Sequence, residues 1–462
     1  MSLKDIFNPK SIAVIGASRD EKSAGHGILK NLVHGCVLEC RYCRPFPGKI
    51  FAINPNADEI LEIKCNKSIS EIREKIDLAI IAVPSKIVEQ QIDLCIRKKV
   101  KGVIIISAGF SEIGENGKIL QDKIAAKLKK AKIALIGPNC LGIIRTKVHL
   151  NASFAPSVPP EGNIAFVSQS GALANSIIDW AIDERYGFSS IVSLGNSADK
   201  DISDFIEYFG KDKETKVICM YIEGLTDGKK FMKISSKVSR KKTIIVVKAG
   251  KTSQGRKAIS SHTGSLAGDY EIYKAAFAQS GVILAESVED MFDIAKAFSS
   301  QPIPKANSIA IVTNGGGPGV LCSDFCIEFG VKLAQLDKKT IKELEASGKM
   351  HPTFSRANPL DIVGDALAER YRVAINALLS KKYISGMIVI QTLQTMTESL
   401  EDAKVITEAS KKFPTKPILC TYMGGKFSKP SIIFLENHRI PDYNDVRKTA
   451  RVMGALVGKV KE

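Results

Sequence analysis

Three stretches of this chain repeat one design, and that repetition constrains the fold more than any other feature. Ile12-Ala13-Val14-Ile15 runs into Gly16-Ala17-Ser18, and Ile164-Ala165-Phe166-Val167 into Ser168-Gln169-Ser170-Gly171. Ile309-Ala310-Ile311-Val312 likewise runs into Thr313-Asn314-Gly315-Gly316-Gly317. Each is an apolar run too short for a helix, then a small-residue turn, then a helix start. A strand buried on both faces reads this way, with its carboxyl end aimed at a helix N-terminus. The runs recur about 150 residues apart, near the size of one domain. Further strands are expected at 50–53, 78–83, 103–107, 134–136, 190–194, 217–222, 243–247, 387–391 and 417–421. Helical patterns such as 70–75 and 118–130 lie between them, in βαβ order. Turn-rich separators fall at 158–162 and 301–305. The expectation is an α/β chain of three doubly wound domains, at 1–145, 146–303 and 304–462.

Of the 462 residues, 44% are hydrophobic but only 6% aromatic, so the cores must be aliphatic. The net charge of +17 raises nucleic acid as a partner. The basic residues are scattered in small groups such as Lys127-Leu128-Lys129-Lys130, without interleaved aromatics or a helix-turn-helix motif. An enzyme that handles polyphosphates, with many solvated lysines, accounts for the charge, and no nucleic-acid partner is expected. Neither a signal core nor a run of about 18 apolar residues occurs, so no membrane span is expected. Ten cysteines in such a chain suggest reduced thiols and a cytoplasmic location.

The chemistry-bearing residues gather at strand ends. The stretch 248–269 follows an apolar run and is rich in Gly, Ser, Thr and charge, which reads as neither strand nor stable helix. His262 sits in it among Ser260, Ser261, Thr263 and Ser265, on a polar loop suited to chemistry or merely exposed. Glu223 follows the strand 217–222. It can accept from one ring N–H of His262 and leave the other nitrogen as a nucleophile, or it is a surface acid. Ser170, Gly171 and Ala172 open a helix whose amides make an anion seat, or an ordinary cap. Gly16, Ala17 and Ser18 resemble a dinucleotide turn, but the G-x-G-x-x-G spacing is missing. Asn54-Pro55 stands where NAD sites carry an acid, so NAD is disfavoured. An anionic nucleotide or a structural turn both remain open. Val83-Pro84 and Ser107-Ala108-Gly109 belong to the same sheet edge and would line its cleft.

Taken in order, IAVIGAS, IAVPS, VIIISAGFSEIG, IGPNCLGI, NIAFVSQSGAL, VSLGNSAD, YIEG, VVKAG, SSHTGSLAG and AIVTNGGGPGV resemble the alpha subunit of NDP-forming acyl-CoA synthetases. The nearest group is ADP-forming acetyl-CoA synthetase, in the succinyl-CoA synthetase superfamily. The likeness runs through nearly the whole chain. It implies a Rossmann-like CoA-binding domain followed by two flavodoxin-like ligase-CoA domains. It implies phosphorylation of His262, pairing with Glu223, and phosphate held at Ser170 to Ala172. Coenzyme A would be surrounded by Gly16 to Ser18, Asn54, Pro55, Val83, Pro84 and Ser107 to Gly109. Asn139 would lie near the acyl group and phosphate. The implied reaction is acyl-CoA + ADP + phosphate to acid + ATP + CoA, reversibly, through an acyl phosphate. The family's ATP-grasp module has no counterpart here, so a beta subunit would supply ADP/ATP with Mg2+, in an α2β2 assembly. The third block would dock on that subunit. A CoA-sensing module that has lost its chemistry is the alternative reading, and the presence of His262 speaks against it.

One insertion departs from the family pattern. Gly35 to Gly48 contains Cys36, Cys40 and Cys43, and the C-x3-C-x2-C spacing matches iron–sulfur ligands in radical SAM enzymes, which carry it in a different fold. A soft metal and plain free or paired thiols both stay open, and no metal ligand set is assigned. Cys322 and Cys326, four apart on a helix, read as core.

Overall fold

The structure, a computed structural model, describes residues 3–460 apart from 264–267, with the side chains of 260–263 also outside the description. The chain divides into two compact units, Met1–Met291 and Phe292–Glu462.

The first unit holds two seven-stranded sheets. One contains β1 (Ser11–Ile15), β2 (Lys49–Ile53), β3 (Glu59–Ile60), β4 (Ile63–Asn66), β5 (Leu78–Ile81), β6 (Gly102–Ile105) and β7 (Ala134–Ile136). Their order is β3-β4-β2-β1-β5-β6-β7. Ile12 of β1 lies opposite Ile50 of β2 and Leu78 of β5, both pairings parallel. Every residue of β1, β5 and β6 is buried, as a sheet covered on both faces demands. The chain leaves β1 for β2 on one side and returns to β5 on the other. A ligand crevice opens where the direction reverses, between the carboxyl ends of β1 and β5.

The second sheet contains β8 (Gly142–Arg145), β9 (Leu150–Ser153), β10 (Glu161–Ser168), β11 (Phe188–Ser193), β12 (Val217–Ile222), β13 (Thr243–Lys248) and β14 (Ile283–Leu284). Its order is β14-β13-β12-β10-β11-β8-β9. Here the reversal lies between β10 and β12, which pair in parallel. The β8–β9 hairpin is antiparallel and was not anticipated from sequence. It ties the sheets together: Asn31, in the helix Ala24–His34, donates to the carbonyls of Ser153 and Ala155 at 2.8 Å each. At the opposite end Phe7 stacks on Tyr208, 4.7 Å between ring centres, and meets Phe209 edge-on. One continuous apolar core, from Leu29 and Leu32 to Phe205 and Phe231, serves both sheets.

The second unit is a four-stranded parallel sheet of β15 (Ile309–Thr313), β16 (Leu360–Asp361), β17 (Gly386–Thr392) and β18 (Ile418–Met423), ordered β16-β15-β17-β18. Its core includes fully buried Tyr371 and Tyr422. The architecture is thus the expected α/β one, with parallel doubly wound sheets.

One local expectation fails. Residues 70–75 are not a helix; a single 3-10 turn, Ile69–Glu71, stands there. Ile69, Ile72 and Ile76 are buried at helical spacing, which is what misleads. Ser11 competes for the backbone: its hydroxyl donates to the Lys75 carbonyl at 2.8 Å and its carbonyl accepts from Asp77, drawing the chain out toward β5. Of the insertion's three cysteines, Cys36 and Cys43 are drawn together as a pair. The chain's other eight cysteines are free thiols, Cys322 and Cys326 fully buried among them.

Candidate functional site

The turn after β1 is built around a backbone approach. Gly16 has φ +93°, and a Cβ there would fall 2.3 Å from the Ala82 carbonyl oxygen, so only glycine fits. Its N–H donates to the Ile53 carbonyl at 3.0 Å, locking the end of β1 to the end of β2. The Asn54 amide donates to the Ala17 carbonyl at 2.7 Å, so this position braces the turn with a neutral group. The following helix, Ala24–His34, is capped by Ser23, whose hydroxyl accepts from His26 N–H at 3.2 Å. Ser107 donates its hydroxyl proton to the Val83 carbonyl and joins the ends of β5 and β6.

Glu112 organises the next loop. Its carboxylate accepts from the N–H groups of Gly109 and Phe110, and from the Asn196 amide at 2.6 Å. Burial alone would raise the Glu112 carboxyl, but those hydrogen bonds outweigh it and hold it below the usual range. Asn196 also donates to Gln121 at 2.9 Å and accepts from the Asn139 amide at 3.3 Å. The Asn139 N–H in turn donates to the Ser107 carbonyl at 3.0 Å. Asn139 therefore joins the loops of the first sheet to those of the second. Glu112 and Asn196 were missed from sequence; an acid two residues after a Gly-Phe turn was the only available signal.

On the second sheet, Ser170 caps the helix Gly171–Asp183, its hydroxyl accepting from Leu173 N–H at 3.3 Å. Ser168 fixes the turn by accepting from Ser170 N–H at 3.0 Å and donating to its carbonyl at 2.7 Å. The first amides of that helix have no carbonyl partner one turn back, which leaves a seat for an anion. Gln169 crosses from β10 to the end of β12. Its carbonyl oxygen accepts from Glu223 N–H at 2.6 Å, and its amide donates to the Gly224 carbonyl at 3.0 Å. Glu223 is 8% exposed. Behind it, Lys248 donates to the Glu223 carbonyl at 2.9 Å and lies 4.5 Å from the centre of the Tyr273 ring. Burial pushes the Lys248 ammonium down, against the opposing pull of the Glu223 carboxylate.

These pieces surround one cleft of about 1510 Å³ in the first unit. Gly16, Ala17, Ser18, Asn54, Pro55, Val83, Pro84, Ser107 and Ala108 line one part of it. Asn139, Ser170, Gly171, Ala172 and Glu223 line the rest. Gly109 does not line it; its N–H is taken by Glu112. A cleft with two helix N-termini suits an elongated ligand with an anionic end, together with a small second anion.

The stretch after β13 corrects the sequence expectation. Residues Ser253–Thr263 form a helix. Thr252 starts it, its hydroxyl accepting from Gly255 N–H at 3.1 Å, and buried Ile259 anchors one face. Gln254, Arg256, Lys257 and Ala258 are good helix formers, outvoting the small polar residues around them. His262 falls within this helix, which follows the strand next to β12, but its side chain lies outside the described residues.

Three family models match successive parts of the chain. Residues 10–146 match a CoA binding domain, 161–298 a succinyl-CoA ligase-like flavodoxin domain, and 309–460 a ligase-CoA domain. The alpha subunit of acetate–CoA ligase [ADP-forming] II from Pyrococcus furiosus is 42% identical, over 98% of this chain and 97% of its own length. Acetate–CoA ligase [ADP-forming] from Methanocaldococcus jannaschii is 44% identical over 100% of this chain, and the chain spans 64% of that protein's length. Among solved structures, the dinucleotide forming acetyl-coenzyme A synthetase 1 of Ca. Korarchaeum cryptofilum, in complex with phosphate and ADP, superposes with a TM-score of 0.92. It is 38% identical, covering 98% of this chain and 96% of that one. Among the described residues, no helix is long and apolar enough to cross a membrane.

Proposed function

Because this chain belongs to the family of ADP-forming acyl-CoA ligase alpha subunits, we propose that it carries the CoA-binding and phosphoryl-transferring half of an ADP-forming acetate–CoA ligase. In this reading residues 1–145 hold CoA, residues 146–303 carry the phosphoryl group, and residues 304–462 meet the partner. The partner is an ATP-grasp beta subunit that binds ADP with Mg2+, in a cytoplasmic α2β2 enzyme. The observation that carries the reading is the single cleft shared by the Gly16 turn, Asn139 and the Ser170 helix.

The anionic end of CoA meets the Gly16–Ser18 turn and the helix N-terminus beyond Ser23. Its arm runs past Asn54, Pro55, Val83, Pro84, Ser107 and Ala108, which brings the thioester toward Asn139. Inorganic phosphate sits at Ser170, Gly171 and Ala172, on the amides of Gly171 and Ala172 beside the Ser170 hydroxyl, where the helix end favours negative charge. A phosphate oxygen attacks the thioester carbonyl; the C–S bond breaks, CoA leaves as thiolate and takes up a proton, and acyl phosphate remains. A ring nitrogen of His262 then attacks phosphorus while Glu223 accepts from the other ring N–H, and the acid leaves as carboxylate. ADP finally takes the phosphoryl group from the imidazole.

The test is a labelling experiment on the chain co-expressed with its beta partner. With acetyl-CoA and radiolabelled phosphate, the complex gains acid-labile label on His262. His262→Ala takes up no label and turns over at least about 1000-fold more slowly, as expected when a covalent carrier is lost. Turnover that survives this substitution refutes the mechanism.

A further inference from the structure

The loop between the helix Ala24–His34 and β2 serves no part of the proposed reaction, yet it gathers three cysteines. The sulfurs of Cys36, Cys40 and Cys43 all lie within 4.8 Å of one another. Cys36 is 3% exposed, and the other two are half-buried. The Cys40 sulfur is 3.0 Å from that of Cys43, and the Cys40 N–H donates to the Cys43 sulfur at 3.2 Å. The loop is tightly closed: Gly35 has φ +94°, and a Cβ there would fall 2.5 Å from the Arg44 nitrogen. Leu38 N–H donates to the Pro156 carbonyl at 2.7 Å, and Asn151 to the Gly35 carbonyl at 3.3 Å. The sulfur cluster therefore rests on a loop pinned to the β8–β9 side of the second sheet.

A disulfide between Cys36 and Cys43 accounts for two sulfurs and leaves the third at the same point without a purpose. We propose that the reduced loop binds one thiophilic divalent ion, zinc in the first place, through the thiolates of Cys36, Cys40 and Cys43. Sulfur ligands select soft or borderline ions over magnesium and calcium. A tetrahedral zinc with bonds of about 2.3 Å sets its sulfurs about 3.8 Å apart, so once the Cys36–Cys43 link is reduced the three sulfurs, grouped within 4.8 Å, need part only slightly to share an ion. In an iron–sulfur cubane each thiolate binds a different iron, so the sulfurs stand farther apart. Among the described residues no further His, Asp or Glu ligand atom joins the group, so the fourth position goes to water or an incoming ligand. Binding releases the thiol protons, and Arg41 and Arg44 in the same loop offset the remaining negative charge. The far end of the Ala24–His34 helix lines the ligand cleft, so the ion fastens that helix from behind rather than entering the chemistry.

The experiment uses the full chain, purified under reductant without chelators from zinc-replete cells. Elemental analysis is expected to find about one zinc per chain, held by the three thiolates with water in the fourth position. Cys40→Ser loses it, while Cys65→Ser, a half-buried thiol outside the cluster, retains it. Replacement of zinc by Co2+ in the unaltered chain gives thiolate-to-cobalt charge transfer and tetrahedral ligand-field bands, a readout that does not depend on the variants folding. Iron with acid-labile sulfide overturns the single-ion proposal. So does a metal-free chain, whether its thiol count equals all ten cysteines or falls two short.

Discussion

The side-chain amide of Gln169 grips the backbone on both sides of the Glu223 side chain. One oxygen accepts from the N–H groups of Glu223 and Gly224 at 2.6 and 3.1 Å, and the nitrogen donates to the Gly224 carbonyl at 3.0 Å. Gln169 belongs to the turn that seats the anion, so one residue fixes the spacing between that seat and Glu223. Gln169→Ala removes three hydrogen bonds, which at about 1 kcal/mol each corresponds to a loss of about 100- to 200-fold in kcat. The KM for CoA should change little, because the side-chain hydrogen bonds of Gln169 go to Glu223 and Gly224 rather than to the CoA-lining turns. Pre-steady-state phosphorylation of His262 slows by the same factor. An unaltered burst rate would remove the positioning role.

That clamp marks where sequence reading stops. The strands are legible because continuous Ile and Val runs have one use in a doubly wound sheet, and β1, β12 and β13 stand where those runs are. Gly16 is legible because a small-residue turn after such a strand has few explanations. Gln169, Glu112 and Asn196 are not, because their partners lie far along the chain: Glu112 and Asn196 are 84 residues apart. No local pattern encodes such a pairing. The β8–β9 hairpin is hidden for the same reason, since Arg145 and Asn151 look like surface residues until Asp212 and the Gly35 carbonyl are brought to them. The third sheet repeats the device. Asn314 accepts from Thr392 N–H at 2.7 Å and donates to its carbonyl at 2.8 Å, joining β15 to β17 as Gln169 joins β10 to β12. In the helix Ser253–Thr263 local propensity and a threonine cap prevailed over a composition that suggested a loop.

The Arg145–Asp212 pair should be a point of high sensitivity. The guanidinium donates to both carboxylate oxygens, at 2.7 and 2.8 Å, and both side chains are nearly buried. Burial alone would raise the Asp212 carboxyl, but Arg145 and the Thr215 hydroxyl outweigh it and hold it below the usual range. The pair's stabilisation is therefore present above the ordinary carboxylate pKa and lost as pH falls through the depressed one. Asp212→Ala strands a buried cation and should cost about 3–5 kcal/mol. Replacing both partners by Met and Leu should cost much less. Urea unfolding of the two variants at neutral pH makes the comparison, and equal losses would contradict the argument.

The helix Gly316–Glu328 presents Val320, Leu321 and Ile327 to solvent, at 61%, 51% and 68% exposure. Val320 and Ile327 are seven residues apart and share a face. Exposed aliphatics grouped on one face suit a covering partner. If the third block docks on the beta subunit through this face, Val320→Asp with Ile327→Asp weakens assembly by at least about 100-fold, as loss of central apolar contacts does. Sedimentation of mixed subunits measures it. The doubly substituted chain should melt like the unaltered one, and full assembly would direct the interface elsewhere.

Asp402 offers a pH test confined to the second unit. It is fully buried, and the Gln391 amide donates to one of its oxygens at 3.0 Å. Burial pushes its carboxyl up to about 7; Glu398 and Glu401 add to the rise, and the Gln391 hydrogen bond opposes it. Between the ordinary carboxylate pKa and about 7, the folded chain binds the Asp402 proton more tightly than the unfolded chain does. Stability therefore falls as pH rises through that window and levels off above it, by an amount on the order of 2–4 kcal/mol. Asp402→Asn lacks this loss. The stability of the variant relative to the unaltered chain should climb from about pH 4.5 to pH 7 and then stay flat. Hydrogen exchange of the β17 and β18 amides across that range reports on this unit alone. A stability difference that does not change with pH would mean that Asp402 is ionised in the folded chain.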